Sequence, residues 1–220
     1  GIQQQVNWAY EIQGRIALEP PYPALKKIPV KAKYQEQCSK EQVSQALVLS
    51  PEGYVKNAVV SLVGEFQEPF PESVVSPLLM DQKNCNFEPH ILIVPEGKSF
   101  KVANSDPLPH DVRAFDQSKM LFRFEMDPSD KPVEKKFDKP TIYVFRCGLH
   151  PWMHAFVVSA DHPYYAVTDE SGKFHLAGVP PGRYNLRIWH ETLGEAQIEV
   201  NVENDIGGLS YTFQHIGQSS

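Results

Sequence analysis

The amino-acid sequence predicts an all-β protein built from sandwiches, and three observations carry that expectation. Nineteen prolines and thirteen glycines are spread along 220 residues, which favours frequent turns and short segments over long helices. Short apolar runs, many of them β-branched, alternate with turn signals. Period-2 alternation marks two segments late in the chain, while helical periodicity is weak throughout. The length suits one large domain or two small ones. With 41% hydrophobic and 22% charged residues, the chain has enough apolar surface to bury a core.

From the N-terminus, Glu19–Pro29 holds four prolines and reads as an extended connector. A single helical turn is expected near Ser39–Gln45, opened by a Ser39 cap. Strands are expected at Ala46–Leu49 and Ala58–Val63, with Pro51-Glu52-Gly53 turning between them. Gln67–Pro77 is a second proline-rich connector. Strands at His90–Val94 and Ser99–Ala103 flank the turn Pro95-Glu96-Gly97, and Asn104-Ser105-Asp106-Pro107 makes the next turn. Asp127–Pro140 is charged, contains Pro128, Pro132 and Pro140, and reads as an exposed loop. Strands follow at Thr141–Phe145 and Ala155–Ser159. In Lys173–Leu176 and Tyr184–Trp189 the alternation puts Phe174, Leu176, Leu186 and Ile188 on buried faces, with polar residues opposite.

The segment between the last of the central strands carries the chemistry. Cys147-Gly-Leu-His150-Pro-Trp-Met153-His154 places a thiolate, two imidazoles and a thioether in one tight inter-strand loop. Thiolate and imidazole suit both Cu(I) and Cu(II), and a weak axial thioether tunes the potential. A further ligand comes from Asn104-Ser-Asp-Pro-Leu-Pro-His110, another strand end followed by a histidine. The candidate metal ligands are therefore His110, Cys147, His150 and Met153, holding one mononuclear copper ion. His154 in place of His150 is an alternative, as is zinc on the Cys/His set. Buried structural thiol and core methionine are the plain reading of the same residues. Pro151 stiffens the loop. Trp152 either forms an apolar surface beside the metal or packs beneath the loop.

With Cys147 assigned to a metal, Cys38 and Cys85 remain, and two cysteines can pair. A Cys38–Cys85 disulfide is expected, which fits an oxidising compartment such as the bacterial periplasm. Three unrelated buried thiols is the alternative. The formal net charge is −6 with no basic stripe, which argues against nucleic acid as a partner. No apolar run is long enough to span a membrane. No export signal is visible, but a chain opening on Gly1 gives no argument for the cytoplasm.

The stretch Phe87-Glu-Pro-His-Ile-Leu-Ile-Val-Pro-Glu-Gly97, then Asn104, then Pro109-His110-Asp-Val112, resembles the first half of cupredoxins. The loop Cys147-x-x-His150-Pro-x-Met153 is most similar to the short ligand loop of the amicyanins. This resemblance covers roughly residues 81–159. It implies a Greek-key sandwich with a blue-copper site in which His110 and His150 give nitrogen, Cys147 the thiolate and Met153 the axial donor. It also implies that Asn104 braces the ligand loops by hydrogen bonding.

Residues His162–Leu186 carry a second signature, Thr168-Asp169-x-x-Gly172-x-Phe174 followed by Val179-Pro-Pro-Gly182-x-Tyr184-x-Leu186. It resembles the carboxypeptidase-regulatory-like (transthyretin-like) β-sandwich. Its physical reading is a hairpin turned by Asp169–Gly172, with Pro180-Pro181-Gly182 turning the next strand. Gly14-Arg-Ile16 and Asn57–Leu62 fit the early strands of such a module. The expected organisation is a discontinuous sandwich of residues 1–77 and 160–220 with a cupredoxin of residues 78–159 inserted. A simple N-to-C series is the alternative. The expected disulfide would then fasten the insert to its host. The whole layout is similar to bacterial methylamine-utilisation-type copper proteins, which implies periplasmic life.

The expected function is single-electron transport between redox partner proteins, such as a cytochrome or an oxidoreductase, with no substrate transformed. Copper handling or sensing, and a copper enzyme with a second histidine-based site, are the rival readings. His90, His162 and His190 read as structural.

Overall fold

The computed structural model describes residues 8–72 and 78–215. They form strands, turns and loops, with one four-residue helix, α1 (Gln35–Cys38), preceded by a 3-10 turn at Ala32–Tyr34. The protein is all-β, as the turn density and alternation predict. Among the described residues no helix is long and apolar enough to cross a membrane. The chain divides into two compact units. One comprises the described residues of Leu25–Gln45 and Gln67–Pro163, the other those of Gly1–Ala24, Ala46–Phe66 and Tyr164–Ser220.

In the first unit, β10 (Lys119–Met126), β9 (His110–Asp116), β12 (Ile142–Cys147), β13 (His154–Ala160) and β7 (Ile91–Pro95) make a five-stranded sheet in that order. A four-stranded sheet runs β11 (Val133–Lys136), β8 (Ser99–Asn104), β5 (Leu79–Lys83), β6 (Asn86–Glu88). The β13–β7 and β5–β8 pairs are parallel and the rest antiparallel. The core lies between these sheets: Val112, Phe145, Ala155 and Val157 from one meet Met80, Phe87, Phe100 and Val102 from the other. Burying each large side chain contributes about 1.5–3 kcal/mol. Successive strand residues face opposite ways, so Tyr143, Phe145 and Cys147 all point inward along β12. His110, Val112 and Ala114 do the same along β9.

In the second unit, β15 (Lys173–Val179), β1 (Tyr10–Leu18) and β18 (Ile206–Phe213) make one sheet. The other runs β14 (Tyr165–Val167), β4 (Val59–Val63), β16 (Gly182–His190), β17 (Gly194–Val202). Its core joins Ile12, Ile16, Phe174 and Leu176 to Val60, Leu62, Leu186 and Ile188, so all four residues picked out by alternation are buried.

Several local expectations change. The helical turn precedes Ser39 rather than following it. Ser39 takes φ 68°, and the next residues form β3 (Glu41–Val43), which pairs with β2 (Lys27–Pro29). Cross-strand pairing of these two short segments thus overrides the local capping signal. Ala46–Leu49 is not a strand; only Leu49 bridges, to Val55. Asp127–Pro140 contains β11, which pairs with β8 through Val133–Lys136 and is concealed in the sequence by its lysines. The Asp169–Gly172 turn forms, with Gly172 N–H donating to Asp169 O at 2.9 Å. It joins β14 and β15, which lie in different sheets, so it is a corner and not a hairpin. Residues 25–45 belong with the unit that holds β5–β13, although they were expected with the other sandwich. Of the Gln67–Pro77 connector, residues 73–77 lie outside the described residues.

The expected disulfide is present: Cys38 and Cys85 are joined at 2.03 Å. Both cysteines lie in the first unit, so the bridge fastens α1 to its own sandwich rather than one unit to the other.

Candidate metal centre

Strand register and one loop assemble the centre. Cys147 is the last inward residue of β12 and pairs with Val112 on β9. His110, two residues earlier on the same face of β9, is thereby brought level with the end of β12. The chain then leaves the sheet through residues 148–153. Cys147 N–H donates to Met153 O (3.1 Å), and Met153 N–H donates to His150 O (3.0 Å). These bonds fold the loop over the sheet end and turn His150 inward. Gly148 is required by close approach: a Cβ there would collide with the Asp111 carboxylate and the Arg113 guanidinium.

The result is a cluster of three unlike donors. Cys147 Sγ lies 3.4 Å from His150 Nδ1 and 3.8 Å from His110 Nδ1, and the two Nδ1 atoms are 3.2 Å apart. His110 and His150 are fully buried, and Cys147 is 5% exposed. Met153, 1% exposed, belongs to the same buried cluster as Cys147 and Trp152. Three of the four predicted ligands thus converge through their donor atoms, and Met153 closes the same loop.

The electrostatics fit a cation. Burial alone would push the Cys147 thiol up. Hydrogen bonding from His110 and His150, and from the Asp111 and Leu149 backbone, outweighs it and brings the thiol down to about 6. A thiolate is the species that ligates metal. Burial disfavours the charged form of His110, but the Asp106 carboxylate and Cys147 together raise it above the ordinary imidazole value. Burial likewise disfavours the Asp106 carboxylate, yet His110 and the Cys85 backbone hold it below the usual range.

The two imidazoles are braced differently. His110 Nε2 lies 2.8 Å from Asp106 Oδ2, and the same oxygen accepts Cys85 N–H at 3.0 Å. With Nε2–H donated to Asp106, Nδ1 of His110 is the nitrogen that faces the cluster, carrying a proton for the thiolate or, once deprotonated, a lone pair for a metal. Asn104 fixes this turn: its Oδ1 accepts Asp106 N–H (3.0 Å), and its Nδ2 donates to Leu108 O (3.0 Å) and Met126 O (3.2 Å). The bracing role implied for Asn104 therefore has a geometric basis. His150 Nε2 is buried without a hydrogen-bond partner. Rings hold it instead: Tyr34 meets it edge-on at 4.6 Å between centroids, and Trp152 lies at 5.1 Å. Trp152 is 3% exposed and donates Nε1–H to Cys85 O at 2.8 Å, so it packs under the loop and offers no surface.

The donor set suits a metal that takes both nitrogen and sulfur: buried, mutually facing, with one donor anionic and the orientation of His110 fixed by the Asp106 carboxylate. The remaining histidines stand elsewhere. His154 Nδ1 lies 3.3 Å from Trp152 O, and its ring meets His90 at 5.0 Å and Phe156 at 5.8 Å, outside the three-donor cluster. His162 is buried, with Nε2 3.9 Å from Asp161. His190 Nδ1, in the other unit, accepts the N–H groups of Thr192 (3.1 Å) and Leu193 (3.3 Å) and so closes a turn.

Sequence reasoning missed Asp106 and Tyr34. Asp106 was visible as a turn residue four positions ahead of His110, and an acid at that spacing from a candidate ligand was the signal. Tyr34 carried no signal, because nothing local to Ala32–Cys38 points to His150.

No family model matches this chain, and no curated protein matches it. Among solved structures, a purple cupredoxin from Nitrosopumilus maritimus is similar at 24% identity, covering 37% of this chain and 96% of that one, with a TM-score of 0.33. A reduced amicyanin variant is similar at 21% identity, covering 46% and 99%, with a TM-score of 0.35. The copper-containing nitrite reductase of Thermus scotoductus is similar at 19% identity, covering 46% of this chain but 25% of the enzyme, with a TM-score of 0.34.

Proposed function

We propose that the first unit is a cupredoxin in which His110 Nδ1, Cys147 Sγ and His150 Nδ1 would hold one copper ion, with Met153 as a further, weaker ligand, and that it carries single electrons between redox proteins. The convergence of two imidazole nitrogens on a buried, acidified thiol supports this reading most directly. Copper bound there supplies a one-electron Cu(I)/Cu(II) couple tuned by its soft donors. Cys147 provides the anionic donor. Asp106 orients His110, and Tyr34 with Trp152 holds His150 by packing. The donor side chains are buried, which excludes water from them, so little rearrangement accompanies a change of charge. The Cys38–Cys85 disulfide supports an exported, periplasmic location. The motifs at Thr168–Phe174 and Val179–Leu186 support reading the other unit as carboxypeptidase-regulatory-like, with the cupredoxin inserted in it.

The test is to load the full chain with Cu(II) and record absorption and paramagnetic-resonance spectra, followed by voltammetry. An intense thiolate-to-copper band and a reversible one-electron couple are expected, and both should vanish in Cys147→Ser. Readily exchanged, weakly coloured copper would instead mark a copper-handling protein.

A further inference from the structure

We infer that the segment Leu25–Gln45 is the docking surface for a redox protein with an acidic face, and that Tyr34 is the ring through which the electron reaches His150. The inference rests on the copper reading above and names the port and partner chemistry of that site.

The centre has little direct access to solvent. His110 and His150 are fully buried, Met153 is 1% exposed and Cys147 5%. An electron must therefore cross a side chain that touches a ligand and also reaches the surface. Among the described residues, His150 has ring contacts with His110, Trp152 and Tyr34. His110 and Trp152 are buried. Tyr34 is half-buried, with its ring in T-shaped contact with that of His150.

The segment that carries Tyr34 is unusual in charge. Lys26, Lys27, Lys31, Lys33 and Lys40 are all exposed, against Glu36 and Glu41, so these 21 residues hold five lysines and two glutamates in a chain of net charge −6. Lys33 Nζ stands 4.9 Å from the Tyr34 ring centre. A basic segment that carries the conducting ring attracts an acidic partner and repels a basic one, which steers encounter as well as register.

The segment is also held in place. Cys38 is bonded to Cys85, and Val30 and Cys38 are buried in the sandwich core. Gln35 Nε2 donates to Val30 O (2.8 Å), Gln42 Nε2 to Cys38 O (2.7 Å), and Asn86 Nδ2 to Gln42 Oε1 (3.0 Å). Tyr34 therefore keeps its contact with His150 without rearrangement when a partner arrives. No bond forms or breaks in the transfer: the partner loses one electron, the centre gains one, and the reverse step discharges it.

The experiment uses the copper-loaded full chain and two small redox probes of opposite charge, ferrocyanide and hexaammineruthenium(II), in stopped flow. Reduction by ferrocyanide should slow as salt rises, despite the net negative charge of the protein. The double variant Lys31→Glu/Lys33→Glu should cut the ferrocyanide rate by about tenfold and raise the rate of the cationic probe, with the absorption spectrum unchanged. Tyr34→Phe should keep the rate, and Tyr34→Leu should lower it for both probes. An exposed competitor is Leu149 on the ligand loop, 38% exposed. If Leu149→Glu controls the ferrocyanide rate while the lysine and Tyr34 variants leave it unchanged in a normally coloured protein, the port is on the ligand loop and the inference is overturned. A colourless loaded protein would instead defeat the copper reading itself, which separates the two failures.

Discussion

His110 and His150 approach the same thiol from a strand end and from a loop, and they are held by different forces. His110 is fixed through hydrogen bonds, with Nε2 on the buried Asp106 carboxylate, which is itself held by Asn104 and the Cys85 backbone. His150 is fixed by shape, with Tyr34 and Trp152 against its ring and no partner at Nε2. A charged hydrogen bond sets both the tautomer and the donor strength of an imidazole. Ring packing sets only its position. The two sides meet at Cys85: its N–H serves Asp106, its carbonyl accepts from Trp152, and its sulfur is bonded to Cys38, four residues beyond Tyr34. One residue thus ties the electronic brace of one ligand to the steric brace of the other.

Removing the thiolate that both imidazoles face has the largest expected effect. Cys147→Ser should abolish the intense visible band, and a coloured variant would refute the assignment. In the metal-free protein the thiolate should titrate near 6, followed by its ultraviolet absorbance. Because the folded pKa lies below the ordinary thiol value of 9.0, the stabilisation it gives is complete above that value and is lost as pH falls through about 6. The stability gap between wild type and Cys147→Ser should therefore narrow below 6, and a gap that widens there would contradict the thiolate.

Breaking the shared node comes next. Replacing Cys38 and Cys85 by serine opens a loop with a sequence separation of 47 and should cost about 4 kcal/mol in denaturant unfolding. If the node matters to both braces, the loaded variant should also show a changed copper spectrum. Loss of stability with an unaltered spectrum would show that the two braces stand independently.

The contrast itself is tested by Asp106→Asn against Trp152→Phe. Asp106→Asn should lower copper affinity by roughly 10–100-fold and raise the potential, as expected when a supporting carboxylate is lost. Trp152→Phe keeps a ring against His150 and should change affinity less. Equal losses in a competitive chelator titration would erase the distinction. The smallest effect belongs to Met153→Leu, which should keep copper and colour and raise the potential measured by voltammetry. Complete loss of metal there would make Met153 a principal ligand.

Much of this was legible in the sequence, for physical reasons that differ by residue. Cys147, His150 and Met153 lie in one short loop, where spacing alone nearly fixes proximity. His110 was legible as a histidine following a strand end, and through the resemblance carried by Pro109-His110-Asp-Val112. Phe174, Leu176, Leu186 and Ile188 followed from period 2. The strand β11 was not legible, since its alternation is carried by charged residues on a sheet edge, and neither was the pairing of β2 with β3, which needs a partner strand that local propensity does not reveal. Tyr34 lies far from His150 along the chain, and only the folded path of Leu25–Gln45 brings them together. The disulfide was legible from cysteine arithmetic. Its role was not, because the boundary that places Cys38 with Cys85 in one unit is a tertiary fact.

The parallel pairing of β1 with β18 has a consequence for biosynthesis. The earliest described strand is completed by the latest: Ile12 aligns with Ile206 and Leu18 with Phe213, while β4 waits for β14 and β16. All described strands of the first unit have been made once residue 163 has emerged, while the other unit still lacks its last five described strands. Until then Ile12, Ile16, Leu18, Val60 and Leu62 have no sheet partners downstream to cover them. Nascent chains expose such apolar strands to aggregation, so the second sandwich is the part of this molecule whose apolar strands stay uncovered longest during synthesis.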